Sequence, residues 1–257
     1  RLQEEILKIN FLQNTLKSPF LQKGFFLSSL FINSFQMTIN SIHSLFLECT
    51  EVSTDTRKIQ KDCLFIALKG DNFDANTFAQ EALNKGAKYV IIDNKNFYIN
   101  ERTILVDNTL KTLQELSKFH RKYLNLPIIA LTGSNGKTTT KELILAILSK
   151  KYKTIATIGN LNNHIGVPLT LLRFTKDTEI GIVEMGANHQ KEIEFLCEIA
   201  KPDYGYITNF GKAHLEGFGG VEGVIKGKSE MYEHLIRNNK LIFVNYDDPI
   251  QNDKTKN

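Results

Sequence analysis

Apolar and polar positions along this chain fall into two rhythms. Short apolar runs of strand length alternate with longer stretches in which apolar residues return every three or four positions, the spacing of a helix with one buried face. Cys63–Leu68, Tyr89–Ile92 and Thr103–Val106 read as strands. Thr77–Lys85 reads as a helix stopped by Gly86, and Thr109–Tyr123 as a helix with Leu110, Leu113, Leu116 and Phe119 on one face. Leu126-Pro127 breaks the pattern, which puts a domain boundary near Asn125. Beyond it, Ile128–Leu131, Thr154–Thr157, Ile180–Glu184, Tyr204–Thr208 and Leu241–Val244 read as strands, and Lys137–Lys151, Gln190–Ala200 and Val221–Ile236 as helices. Strand–helix alternation of this kind predicts an α/β protein with a parallel sheet covered on both faces and ligands at the carboxyl ends of its strands. No internal repeat is visible.

The two ends differ from this pattern. Arg1–Lys17 reads as a short amphipathic helix and Phe20–Phe35 is rich in Phe, Leu and Ser. The apolar run is broken by Lys23 and Gly24, set inside the chain, and shorter than the roughly 20 residues a membrane span needs. Residues 1–36 therefore read as an extension ahead of the domain, with Met37 as a natural start. Gln251–Asn257 is polar and reads as a cut edge without a helix or strand to close the fold.

Composition narrows the function classes. At 257 residues, 42% hydrophobic and 23% charged, the chain can bury a sizeable core and is neither disordered nor fibrous. A net charge of +4 is too mild and dispersed to argue for nucleic acid. Cys49, Cys63 and Cys197 are scattered, which disfavours a disulfide framework or structural zinc and suits a reducing compartment.

The chemistry starts at Ile128–Thr140, IIALTGSNGKTTT. A buried strand enters Gly133-Ser134-Asn135-Gly136, and Lys137-Thr138-Thr139 opens a helix. Glycines let backbone N–H groups turn toward phosphate oxygens, the helix start favours the anion, and Lys137 can reach the outer phosphates. A hydroxyl at Thr138 suits Mg²⁺, which keeps several waters and bridges phosphates. The general GxxxxGK[ST] pattern is not met, since Leu131 stands at its first Gly; the chain carries the shorter GxxGKT form. A turn capping a helix explains GSNG alone but not GKTTT directly after a buried strand, so nucleotide binding is the reading.

Glu184 closes an apolar strand, where a carboxylate can reach a metal on bound phosphates; a strand-end surface Glu is the bland alternative. His214 lies in a loop after another strand, where a histidine is more often structural or solvated than a ligand. Lys228 reads by itself as a solvated helix lysine.

TGSNGKTTTKE (Thr132–Glu142), GNLNNHIGVPLTLL (Gly159–Leu172), EMGANHQKEI (Glu184–Ile193) and ITNFGKAHLEGFGG (Ile207–Gly220) together resemble the Mur ligases. The NLNN stretch points within that family to the branch that joins D-alanyl-D-alanine to UDP-N-acetylmuramoyl-tripeptide. Ser53-Thr54-Asp55-Thr56-Arg57, followed by CLFIALKGDNFDANTF, resembles the family's N-terminal uridine-nucleotide module. The resemblance implies a small N-terminal α/β domain (37–125) that binds the UDP-muramyl-peptide and a central P-loop-type parallel-sheet ATPase domain (126–257) that is truncated. The C-terminal ligase domain is expected to be absent, and the fragment to have little activity alone.

It further implies ATP and Mg²⁺ as cofactors. Gly133, Ser134, Asn135, Gly136, Lys137, Thr138 and Thr139 would hold ATP, with Lys137, His214 and Lys228 catalytic. Thr138, Glu184, His214 and a carbamoylated Lys228 would hold metal, and Ser53, Asp55, Thr56, Arg57, Asn162 and Asn163 would contact substrate. The implied enzyme is a cytoplasmic monomer in peptidoglycan precursor synthesis. Asp62-Cys63 stands where the N-terminal motif usually has Gly-Asp, and Ala75-Asn76 where it commonly has Gly-His, departures that bear on the first-domain turn. The competing readings are the preceding ligase, which adds the third amino acid, a switch-type nucleotidase, and a fragment that binds without catalysis.

Overall fold

A computed structural model describes residues 37–256 apart from Ala213; the expected helix Arg1–Lys17 and the Phe-rich stretch after it lie outside the described residues. The described chain forms one compact unit built on two parallel sheets.

The first sheet begins after α1 (Ile39–Phe46), whose start is capped by the Thr38 hydroxyl accepting from the Ser41 N–H. Strands β1 (Val52–Ser53) and β2 (Leu64–Ile66) are followed by a small antiparallel hairpin, β3 (Lys69–Gly70) and β4 (Phe73–Asp74). Helix α2 (Ala79–Asn84), strands β5 (Tyr89–Ile92) and β6 (Thr103–Leu105), and helix α3 (Thr109–Leu124) complete the half. The sheet order is β1-β2-β5-β6, all parallel. Period-two alternation sends Leu64, Ile66, Ile91 and Ile104 to the face under α1 and α3. Phe65, Val90 and Ile92 go to the other face, where the small side chains of Ala79 and Ala82 let α2 approach closely.

Asn125 ends α3 in the left-handed conformation. The second half then runs β7 (Ile128–Thr132), α4 (Lys137–Leu148), β8 (Thr154–Ala156), α5 (Gly166–Leu171), β9 (Ile180–Glu184) and α6 (Glu192–Ala200). It continues through β10 (Tyr204–Ile207), α7 (Leu215–Phe218), α8 (Val221–Arg237), β11 (Leu241–Phe243) and α9 (Pro249–Thr255). The order β11-β10-β7-β9-β8, all parallel, places β7 at the centre. Chain order reverses on either side of β7, the position where doubly wound sheets open a crevice for ligands.

Helix α3 serves both halves. Leu113 and Leu116 pack under the first sheet, while His120 Nε2 lies 2.8 Å from the Phe174 carbonyl of the second half. The buried Arg121 guanidinium donates to the carbonyls of Ala200 and Lys201, which end α6, and to the Asp203 carboxylate. A carbonyl can only accept, so His120 carries its proton on Nε2. Its Nδ1 then accepts from His43 Nε2 at 3.0 Å. Burial pushes the His43 imidazole down to about 4, and protonation of His120 would act in the same direction.

Strands lie where the alternation put them, with ends differing by one or two residues. The polar C-terminal stretch is a correction. Gln251 belongs to α9, which starts at Pro249 behind an Asp248 cap, and Gln251 is fully buried. Its amide donates to the Ile207 carbonyl, and its side-chain oxygen accepts from the Tyr232 hydroxyl and the Asn245 N–H. A polar segment thus closes one edge of the second half through a buried amide, which apolar periodicity could not show. Among the described residues, no helix is long and apolar enough to cross a membrane.

Candidate active site

The sequence-expected residues of the second half gather at the carboxyl ends of β7, β9 and β10. Gly133 leaves β7 at φ +150°, and a Cβ there would sit 1.8 Å from the Thr208 hydroxyl oxygen, so only glycine lets the loop pass this close to the end of β10. The loop is clamped from that side. Ser134 N–H donates to the Asn209 carbonyl and its hydroxyl to the Gly211 carbonyl, and the Asn135 carbonyl accepts from the Thr208 hydroxyl at 2.6 Å and the Asn209 amide at 3.1 Å. Thr208 and Asn209 were not singled out from sequence; their signal was two polar residues directly after a buried strand.

Lys137 folds back over the loop, donating to the Gly133 carbonyl at 2.7 Å. Burial pushes its ammonium below the usual lysine range, with Glu184 pulling the other way. Thr139 follows on the exposed side of α4.

Glu184 is only 1% exposed. Its carboxylate accepts from the Thr138 hydroxyl at 3.1 Å and from the Asn162 amide at 2.9 Å, and its backbone N–H donates to the Thr157 hydroxyl. The NLNN loop therefore crosses the end of β9, with Gly186 N–H donating to the Asn162 carbonyl. A Cβ on Gly186 would come within 2.8 Å of the Asn162 side chain. Asn163 uses its side-chain oxygen to accept from the N–H groups of Ile165 and Gly166, fixing the start of α5. Lys141, one turn beyond the loop, is fully buried and donates to the Thr157 carbonyl at 2.7 Å. This lysine ties the first turns of α4 to the residue after β8, and it was not singled out from sequence.

A cavity of about 430 Å³ opens beside these residues, lined by Lys137, Asn162, Asn163, Glu192, Phe195 and the exposed His214. Lys228 is not a solvated lysine. It is 2% exposed, its Nζ lies 5.5 Å from the Phe218 ring centre, and no carboxylate pairs with it among the described residues. Burial first, and the nearby charge of Lys137 second, push it down to about 8.

Among the described residues no group of three His, Cys, Asp or Glu could cage a metal. What stands here instead is a buried carboxylate beside a hydroxyl at the mouth of a phosphate-type loop. Those hard oxygen donors fit Mg²⁺, which takes one or two protein ligands and completes its shell with phosphates and water.

The family model for the Mur ligase middle domain matches residues 131–257, and that for the Mur ligase family, catalytic domain matches residues 48–121. The chain belongs to the Mur ligase family. It is 42% identical over 203 residues to a UDP-N-acetylmuramoyl-tripeptide–D-alanyl-D-alanine ligase of Bacillus subtilis (strain 168), covering 78% of this chain and 44% of that one. The corresponding ligase of Escherichia coli (strain K12) is 43% identical over 187 residues, 73% of this chain and 41% of that one. Among solved structures, MurF from Acinetobacter baumannii aligns with TM-score 0.73 and 34% identity over 84% of this chain and 50% of that one. MurF ligase from Thermotoga maritima in complex with ADP aligns with TM-score 0.71 and 34% identity, over 81% and 48%. The chain spans less than half the length of the curated Mur ligases it matches.

The residues expected from sequence to contact a uridine nucleotide lie elsewhere, at the end of β1 and in the turn that follows it. Asp55 caps a short 3₁₀ turn and accepts from the Arg57 N–H and guanidinium, which holds its carboxyl down at about 2. Ser53 donates its hydroxyl to the Asp55 carbonyl. Thr56 and Arg57 line a second cavity with Asp55, at the first sheet and apart from the Mur-ligase phosphate loop.

Proposed function

We propose that this chain carries the UDP-sugar-binding and ATP-binding parts of a ligase that joins D-alanyl-D-alanine to UDP-N-acetylmuramoyl-tripeptide, forming a C–N bond and releasing ADP and phosphate. The observation that carries the reading is the Glu184 carboxylate. It is held at once by Thr138 of the phosphate loop and Asn162 of the NLNN loop, so the ATP end and the acceptor end share one buried group.

In this scheme the loop from Gly133 to Thr139 cradles ATP, and Lys137 turns from the Gly133 carbonyl to the outer phosphates. The substrate carboxylate attacks the γ-phosphorus and ADP leaves, giving an acyl phosphate. The dipeptide amine then attacks the acyl carbon, losing a proton, and phosphate departs. Positioning and charge neutralisation carry such a transfer. Thr138, Glu184, His214 and a carbamoylated Lys228 would hold Mg²⁺, whose contribution is neutralisation of phosphate charge. Carbamoylation adds CO₂ to the neutral Lys228 amine with loss of one proton, exchanging a cation for an anion. Its support is a buried amine with no carboxylate paired to it among the described residues. ATP chemistry and three unpaired thiols suit the cytoplasm.

Calorimetric titration of the chain with UDP-N-acetylmuramoyl-tripeptide and, separately, the dipeptide form tests the reading, with Mg²⁺ and a non-hydrolysable ATP analogue present. Selective tripeptide binding is expected. Preference for the dipeptide would move the assignment to the preceding ligase, and binding of neither would remove the substrate part of the proposal.

A further inference from the structure

The cavity at the first sheet has about 620 Å³ and two unlike walls. One is the polar turn Thr54–Arg57. The other is aromatic: the β3–β4 hairpin raises Phe73, 55% exposed, with its ring stacked on Phe78 at 5.6 Å and 23° between planes. Leaving a phenylalanine ring in water forgoes its burial, so a free loop would be expected to fold it inward.

This hairpin is not free to do so. Lys69 and Gly70 pair with Asp74 and Phe73. Lys69 Nζ reaches the Asp93 carboxylate at 2.7 Å, and the Asp74 carboxylate accepts from both the backbone and the side chain of Asn76. Asn76 is fully buried; its amide donates to the Asp93 carboxylate at 2.9 Å and its oxygen accepts from the Asp93 N–H at 3.0 Å. Asp93 follows β5 directly and also accepts from Thr109 at the start of α3. The hairpin is thus stapled at both ends to the sheet, and Phe73 is held outward before any ligand arrives. A preorganised aromatic face across a cavity from a polar turn is the arrangement that takes a flat, polar-edged ring.

We infer that Phe73, backed by Phe78, is the stacking platform for the pyrimidine ring of the uridine nucleotide. The inference rests on the proposal that this half holds a UDP-sugar, and it adds the group that seats the base. The Asn76 departure from the family motif then belongs to the staple that aims the ring.

The chain contains no tryptophan, so Phe73→Trp places a single reporter at the platform. Titration with UDP is expected to quench its fluorescence, while inorganic pyrophosphate, which has no base, leaves it unchanged. By calorimetry, Phe73→Leu should weaken UDP binding about 10- to 100-fold, the range of base–aromatic stacking, with Phe73→Tyr within a few-fold of the parent. Unaltered UDP affinity in Phe73→Leu, or heat of binding without any change in the tryptophan, overturns the platform and leaves the UDP-sugar reading standing. No UDP binding by the parent chain overturns that reading and the platform with it.

Discussion

The two parallel sheets end in polar residues that are spent differently. At the carboxyl end of β5, Asp93, Lys69, Asn76 and Thr109 satisfy one another in a closed network, and what that network delivers is a held shape. At the ends of β7 and β9, and on α8 near them, Lys137 is bent back on its own loop, Glu184 is buried with two neutral donors, and Lys228 is buried with no carboxylate paired to it among the described residues. Buried charge left short of partners is costly and is retained chiefly where a ligand completes it. The same architectural position therefore builds a scaffold in one half and holds reactive groups in the other.

The largest test of that contrast is Lys137→Ala. If the second set of strand ends is held for a ligand, affinity for ATP with Mg²⁺ should fall at least about 100-fold, about 3 kcal/mol, while the melting temperature barely moves. An unchanged titration would make Lys137 one more structural lysine. Asn76→Ala probes the other side. Removing a buried amide that both donates and accepts should cost about 2–3 kcal/mol of folding stability, visible as a lower urea midpoint, and leave ATP affinity as it was.

Lys228→Met sharpens the comparison by the smallest margin. With the folded-state pKa near 8, the lysine is charged in both folded and unfolded chains below that pH, and the folded chain bears the full penalty. Between pH 8 and about 10.5 the folded chain has shed a proton that the unfolded one keeps, so stability rises with pH. The variant should therefore be more stable than the parent by about 1–2 kcal/mol at pH 7, with the gap closing across that window. A gap independent of pH would mean the lysine finds a partner in solution.

Much of this was legible because the informative signals were local. Strand–helix alternation located the sheets, and GKTTT after a buried strand located the loop. Helix α5 was not among the helices read from sequence; its Pro168 sits in the first turn, where a proline gives up only an N–H that has no helical partner. The β3–β4 hairpin, with strands of two residues, is too short for any periodicity to register. Burial of Lys141, Lys228 and Gln251 could not be read at all, since it depends on which distant segments arrive beside them. The Asn163 side chain, expected to meet substrate, is taken up in starting a helix, a role that spacing does not separate from binding.

Helix α3 carries one more consequence. Its Leu113 and Leu116 complete the apolar layer of one half, while His120 and Arg121 anchor to the other. A gene fragment cut at Asn125 would thus release a first piece with two displaced polar anchors and a second piece whose α6 has lost the Arg121 guanidinium from its last carbonyls. The join is a shared axle. Protease nicking after Leu124 should leave the two pieces travelling together through a sizing column, as a split protein that reassembles, until denaturant parts them.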